Sequence, residues 1–154
     1  MGLPKCSTAG AAMPGADAVH FPSFSEQFKR ESGLSLRTRE HLLRVYGTRA
    51  PEVLNLAAQD KSLAETFDEE TGAIAAEVVF SFQEEMAETL ADCLLRRTMV
   101  GLNSSVGIGA DEAAAAIAQK YLGWSETRVQ EEVAAYRGYL KRFHPRILSR
   151  SRRG

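Results

Sequence analysis

The sequence predicts an all-α fold: a compact bundle of five or six helices with an irregular N-terminal arm. Three patterns carry that expectation. Val129, Val133, Tyr136, Leu140 and Phe143 step by four, three, four and three residues, the stripe of an amphipathic helix. Glu112–Leu122 is rich in alanine, the best intrinsic helix former. Ile74, Val78, Phe82, Met86, Leu90 and Leu94 recur every four residues. With 154 residues, 44% of them apolar and 25% charged, the chain suits one domain able to bury a core.

Residues 1–34 read as an arm or interdomain linker. Pro4, Pro14 and Pro22 with Gly2, Gly10, Gly15 and Gly33 argue against a long helix there. Phe21, Phe24 and Phe28 are nevertheless too apolar for a free linker, so part of the arm is expected to pack on a neighbour. Residues 35–144 form the helical domain. Ser35 caps a first helix that carries Leu36, Leu42, Leu43 and Tyr46 and stops at Gly47. Thr48 offers the next cap, with Pro51 in the first turn, where its missing N–H costs little. A short helical turn at 63–67 leads into a loop at 68–72. Val78, Val79, Phe80 and Phe82 have strand propensity, but the six matches at steps of four favour helix for 77–82. Thr89 and Asp92 allow a break and a new start inside that segment. Asp111 caps the alanine-rich helix, Gly123 ends it, Trp124 anchors the turn, and Ser125 caps the last helix. His144-Pro145 closes the domain, and 145–154 reads as a disordered basic tail.

The formal net charge of −1 conceals an uneven distribution. Residues 62–95 hold nine acids and no Lys or Arg, whereas 137–154 hold seven bases and no acid. Without that tail the body carries 12 bases against 20 acids, which disfavours nucleic acid as a partner. The acidic runs Asp68-Glu69-Glu70 and Glu84-Glu85 read as solvated faces. Cys6 and Cys93 show no framework spacing and read as reduced thiols, and Met1–Lys5 lacks a signal-peptide core, so a cytoplasmic location is expected.

No catalytic residue emerges from the motifs. His20, His41 and His144 lie beyond helical reach of one another and read as exposed or half-exposed side chains, so no metal site is expected. Asn103-Ser104-Ser105-Val106-Gly107 lacks the nucleophile elbow of hydrolases. Gly107-Ile108-Gly109 lacks the third glycine of a dinucleotide loop, so no cofactor-binding residue is expected either. Arg96 and Arg97 close a helix, where they complement its dipole, and Asp92 lies four residues before Arg96. A second reading has one of them fork to a carboxylate or carbonyl across a domain boundary.

A family resemblance ties these features together. Tyr46-Gly47, Ala76-Glu77-Val78 with Phe80, and Glu85-Met86-Ala87 come first. Thr89-Leu90-Ala91-Asp92-Cys93-Leu94 then leads into Arg96-Arg97-Thr98, followed by Gly123-Trp124 and Tyr136. In this order they resemble the C-terminal helical domain of FAD-dependent (aerobic) glycerol-3-phosphate dehydrogenase. The likeness runs from about Leu36 to Phe143. Cys6-Ser7-Thr8 and Ala12-Met13-Pro14-Gly15 are similar to the strip that joins that domain to the flavin domain. Phe80 departs from the tyrosine the family often has there, and the tail after Phe143 has no counterpart.

The resemblance implies a parent enzyme that oxidises sn-glycerol 3-phosphate to dihydroxyacetone phosphate. It reduces FAD and passes electrons to quinone at the cytoplasmic face of the membrane. The cofactor, the substrate-binding residues and the catalytic groups would belong to the flavin domain of the same polypeptide, the expected partner of this chain. Arg96, Arg97, Phe21, Phe24 and Phe28 would then help to fix the helical domain to it. The rival reading is a stand-alone helical protein-interaction module.

Overall fold

A computed structural model describes residues 13–16 and 20–143. Cys6, the first twelve residues of the arm and the basic tail 145–154 lie outside them. Six helices of nine residues or more are present among the described residues: α1 (Phe21–Glu31), α2 (Leu36–Tyr46), α3 (Ala50–Gln59), α4 (Ala75–Gln83), α6 (Ala110–Leu122) and α7 (Glu126–Leu140). A short α5 (Leu90–Asp92) continues into a wide turn over Cys93–Arg97. A two-stranded antiparallel hairpin, β1 (Thr66–Asp68) and β2 (Ala73–Ile74), precedes α4, with Thr66 opposite Ile74 and Asp68 opposite Ala73.

The caps read from the sequence hold at three helix ends. Ser35 accepts from the Thr38 amide, Ser125 accepts from the Arg128 amide, and Gly123 ends α6 in the left-handed region at φ 72°. Several expectations need correction. The alanine-rich helix starts at Ala110 with Gly109 as its N-cap, so Asp111 lies inside its first turn, and of the turn expected at 63–67 only Leu63 and Ala64 are helical, since Thr66–Asp68 is strand. The arm is not irregular throughout, because Phe21–Glu31 is helical. Phe21, Phe24 and Phe28 fall on one side of it, and Pro22 sits in the first turn, where it does no harm. Thr48 does not cap α3, which begins at Ala50 after a 3₁₀ turn at Gly47–Arg49. The helix expected over 74–98 is broken. α4 stops at Gln83, the chain reverses through Met86 at φ 56°, and Thr89 starts α5 by accepting from Asp92 N while Asp92 accepts from Thr89 N.

Two buried clusters make the core, and α4 lies between them. Val78 joins Leu90, Leu94, Val100, Tyr136 and Leu140 on one side. Ala75, Ala76, Val79 and Phe80 join Leu42, Tyr46 and Val53 on the other. Every residue from 72 to 81 is buried, so α4 is a central helix that meets solvent only at its C-terminal end, at Phe82 and Gln83. Among the described residues no helix is long and apolar enough to cross a membrane.

The strip Met13–Ala16 is fastened to the end of α2 by a glycine pair. Thr48 N–H donates to Gly15 O at 3.1 Å. Gly15 (φ 82°) and Gly47 (φ 58°) meet backbone to backbone, and a Cβ on Gly47 would overlap the Gly15 carbonyl oxygen. Gly33 has a similar φ of 66° but open space around it. Gly33→Ala is therefore expected to cost only the left-handed strain, about 1 kcal/mol. Gly47→Ala adds a collision that must move the strip, with a loss of about 3 kcal/mol. Urea unfolding of both variants checks this, and equal losses would show that the glycine contact carries no stability.

Candidate interdomain face and the charges behind it

Among the described residues two carboxylates have no solvent exposure, Glu77 in the first turn of α4 and Asp111 in that of α6. Ile74 offers no side-chain acceptor as N-cap, so half of a capping box forms: Glu77 Oε1 accepts from Ile74 N–H at 2.9 Å. Oε2 lies 2.9 Å from His41 Nε2 on α2. The buried Tyr46 phenol is pushed well above its ordinary pKa, first by burial and then by the charges of Glu77 and Glu85. The sequence reading of His41 as exposed is thus corrected: its side chain is buried against Glu77.

Next to this pair the Tyr46 and Phe80 rings meet edge to face at 5.6 Å. The Arg49 guanidinium lies 5.0 Å above the Phe80 ring. Arg49 donates to Glu52 and to Glu85, each at 3.0 Å. Burial raises the Glu85 pKa, against the opposing charges of Arg49 and Arg97. Glu85 is therefore a half-buried ion-pair partner and not a solvated carboxylate. Phe80 needs no phenolic hydroxyl here, since its ring is enclosed by Tyr46 and Arg49.

The residues singled out in the sequence fall in different settings. Arg96 is exposed and pairs with Asp92 one turn back. Arg97 is half-buried, and its Nε is enclosed without a hydrogen-bond partner among the described residues. Phe21, Phe24 and Phe28 form a ladder, with ring centroids 6.2 and 6.0 Å apart. Phe28 is buried in this chain's own core, whereas Phe21 and Phe24 remain half-exposed at its edge. The arm aromatics thus pack first on the domain that carries them.

The start of α6 is filled by one of the chain's own carboxylates. Gly107-Ile108-Gly109 leads into the helix, but Asp111 occupies the position where a phosphate would sit. Its Oδ1 accepts from the amides of Gly109 at 2.9 Å and Glu112 at 3.0 Å. Arg137 from α7 grips the same carboxylate, with Nε 2.6 Å from Oδ2 and Nη2 3.1 Å from Oδ1. Burial pushes the Asp111 pKa up more than any other single influence. The Arg137 hydrogen bonds and the two amides together outweigh it and hold the carboxyl below its ordinary value. Ser105 hydrogen-bonds locally to Asn103, whereas Ser104 reaches Glu70 on the hairpin loop, 34 residues away in sequence. Burial pushes the Cys93 thiol up to about 12, so it is not a poised nucleophile. No group of three or more metal-ligating side chains converges among the described residues.

Fold and site together define a compact helical domain whose buried charges lock its own helices to one another. The chain belongs to the family described as the C-terminal domain of alpha-glycerophosphate oxidase, which it matches over residues 6–129. It is 29% identical over 139 residues to a glycerol-3-phosphate dehydrogenase of Synechocystis sp., covering 90% of this chain and 25% of that protein. Glycerol-3-phosphate dehydrogenase 2 of Mycobacterium bovis and of Mycobacterium tuberculosis are each 30% identical over 112 residues, covering 72% of this chain and 19% of theirs. The chain thus spans about a fifth to a quarter of the length of these relatives. No solved structure matches it.

Two outcomes follow from the buried charges. Glu77→Ala strands His41 Nε2 and the Ile74 amide, at about 1–3 kcal/mol for each unpaired group. Glu77→Gln keeps both contacts possible and should lose clearly less in urea unfolding. Because the folded pKa of Asp111 is depressed, its contribution is present above the ordinary carboxylate value and is lost as pH falls through the folded one. Stability measured from pH 6 to pH 2 should fall less steeply in Asp111→Asn than in wild type.

Proposed function

We propose that this chain serves as the C-terminal helical domain of an FAD-dependent glycerol-3-phosphate dehydrogenase. It would pack on the flavin-bearing part and contribute no catalytic group of its own. The observation that carries the reading is the alignment of 72–90% of this chain with 19–25% of glycerol-3-phosphate dehydrogenases. The filled start of α6 supports it, since Asp111 stands where a dinucleotide phosphate would need the helix amides. In the parent reaction sn-glycerol 3-phosphate loses two electrons and two protons to give dihydroxyacetone phosphate. FAD would supply the electron transfer on the way to quinone. A quinone acceptor dissolves in the bilayer, which supports a parent at a membrane surface; the cytoplasmic face is the side proposed.

Within this reading Arg97 is the residue of greatest interest. Its Nε is enclosed without a hydrogen-bond partner among the described residues, and the half-exposed remainder of its side chain would offer the guanidinium to a carbonyl or carboxylate of the flavin-bearing part. Arg96 already pairs with Asp92, so it would add charge at the rim. Phe21 and Phe24 would offer their exposed ring edges, whereas Phe28 is already covered within this chain.

The purified chain is expected to be colourless, and with added FAD and a soluble quinone it should leave sn-glycerol 3-phosphate unoxidised. A yellow, active isolated chain would overturn the proposal. In the full-length dehydrogenase, Arg97→Ala should lower the temperature of flavin release and reduce activity. Wild-type stability, flavin retention and turnover together would remove Arg97 from the interface.

A further inference from the structure

One stretch of surface is more elaborately built than the domain's own packing requires. The loop at 99–109 turns Leu102 and Ile108 outward, 69% and 55% exposed, with Met99 and Val106 beside them. Its backbone is held at several points. Tyr136 Oη donates to Val106 O at 2.8 Å, Gly107 N–H donates to Asn103 Oδ1 at 3.0 Å, and Asn103 Nδ2 donates to Asp68 at 3.2 Å. The Ser104 amide and hydroxyl each donate to Glu70 at 2.9 Å. Gly101 and Gly107 press on Tyr136, and a Cβ at either would come within 2.8 and 2.7 Å of its hydroxyl. Met99 and Val106 are held at φ 58° and 55°, a region that costs a side-chain-bearing residue energy. A backbone this constrained, presenting apolar side chains to water, has little conformational freedom left to lose on binding.

The loop does not stand alone. Met99 and Leu102 form one wall of a cavity of about 520 Å³, and Arg44 and Val45 of α2 line it from the opposite element. Arg44 and Val45 also border a second groove of about 580 Å³, which the strip Met13–Ala16 and Phe21 help to line. Loop, helix and strip therefore make one continuous face.

We infer that this face seats the flavin-bearing part of the parent polypeptide, an inference that rests on the function proposed above. Three observations select that occupant. At least three quarters of each relative lies outside the segment that matches this chain. The strip on this face lies near the N-terminal end of the matched residues 6–129, where a preceding domain is joined in a C-terminal arrangement. The rim carries Arg44 beside Glu70, so the complement must offer charges of both signs. A protein surface does that, and an anionic lipid surface does not.

The test measures binding by titration calorimetry between this full chain and the part of the Synechocystis dehydrogenase outside its matching segment, used once bound flavin and a cooperative thermal transition show that part to be folded. Leu102→Asp and Arg44→Ala alter exposed side chains that line the face, so their thermal midpoints should equal that of wild type. Each is expected to weaken binding at least tenfold, while Leu102→Met and Gln130→Asp on α7 bind as wild type does. Wild-type chain that fails to bind at all overturns the functional reading and this inference with it. Binding by wild type that Leu102→Asp and Arg44→Ala leave unchanged overturns the face alone. Flotation with phosphatidylglycerol vesicles that Leu102→Asp abolishes would assign the face to a membrane, and would equally overturn the inference.

Discussion

A single carboxylate sealed from water governs how this domain is put together. Glu77 can remain buried only if both of its oxygens are engaged, and the two partners come from different parts of the chain. Ile74 supplies an amide at the end of the hairpin, and His41 supplies a ring nitrogen from α2. That requirement fixes α4 in rotation and along its axis against α2. Because α4 is enclosed on every side up to Ser81, its placement in turn sets where both hydrophobic clusters begin. Hydrophobic burial supplies the larger driving force, but it is non-directional. The buried pair selects which face of α4 meets which neighbour.

A second engaged carboxylate does the same work at the far side of the bundle. Asp111 ties the first turn of α6 to Arg137 on α7, and the same contact fills the amides that would otherwise attract an anion. Arg49 bridges Glu52 and Glu85, joining the start of α3 to the segment after α4. A body rich in acids is therefore not simply a charged exterior. Several of those acids hold helices in register, which fits a family in which this segment accompanies a much longer chain.

How much of this was legible depended on range. Caps and stops act over three or four residues, so Ser35, Ser125 and Gly123 could be read directly. The periodic run from Ile74 to Leu94 misled because its spacing continues through Met86, which is exposed and left-handed where the chain turns. Periodicity records the side-chain pattern, not whether the backbone between two matching positions stays helical. In the arm, the density of Pro and Gly obscured the spacing of Phe21, Phe24 and Phe28, itself a helical signal. The hairpin strands of three and two residues are too short to leave a pattern. The Glu77–His41 pair joins residues 36 apart, and no local signal distinguishes Glu77 from its solvated neighbours. The resemblance supplied the family, and only the structure showed which charges are internal.

The glycine contact between the strip and α2 has a mechanical consequence. With Gly15 and Gly47 backbone to backbone, Met13–Ala16 moves with the helical body as one solid piece. The strip therefore stands at a fixed distance from Arg44 and Val45, and the groove between them keeps its width whatever is seated in it.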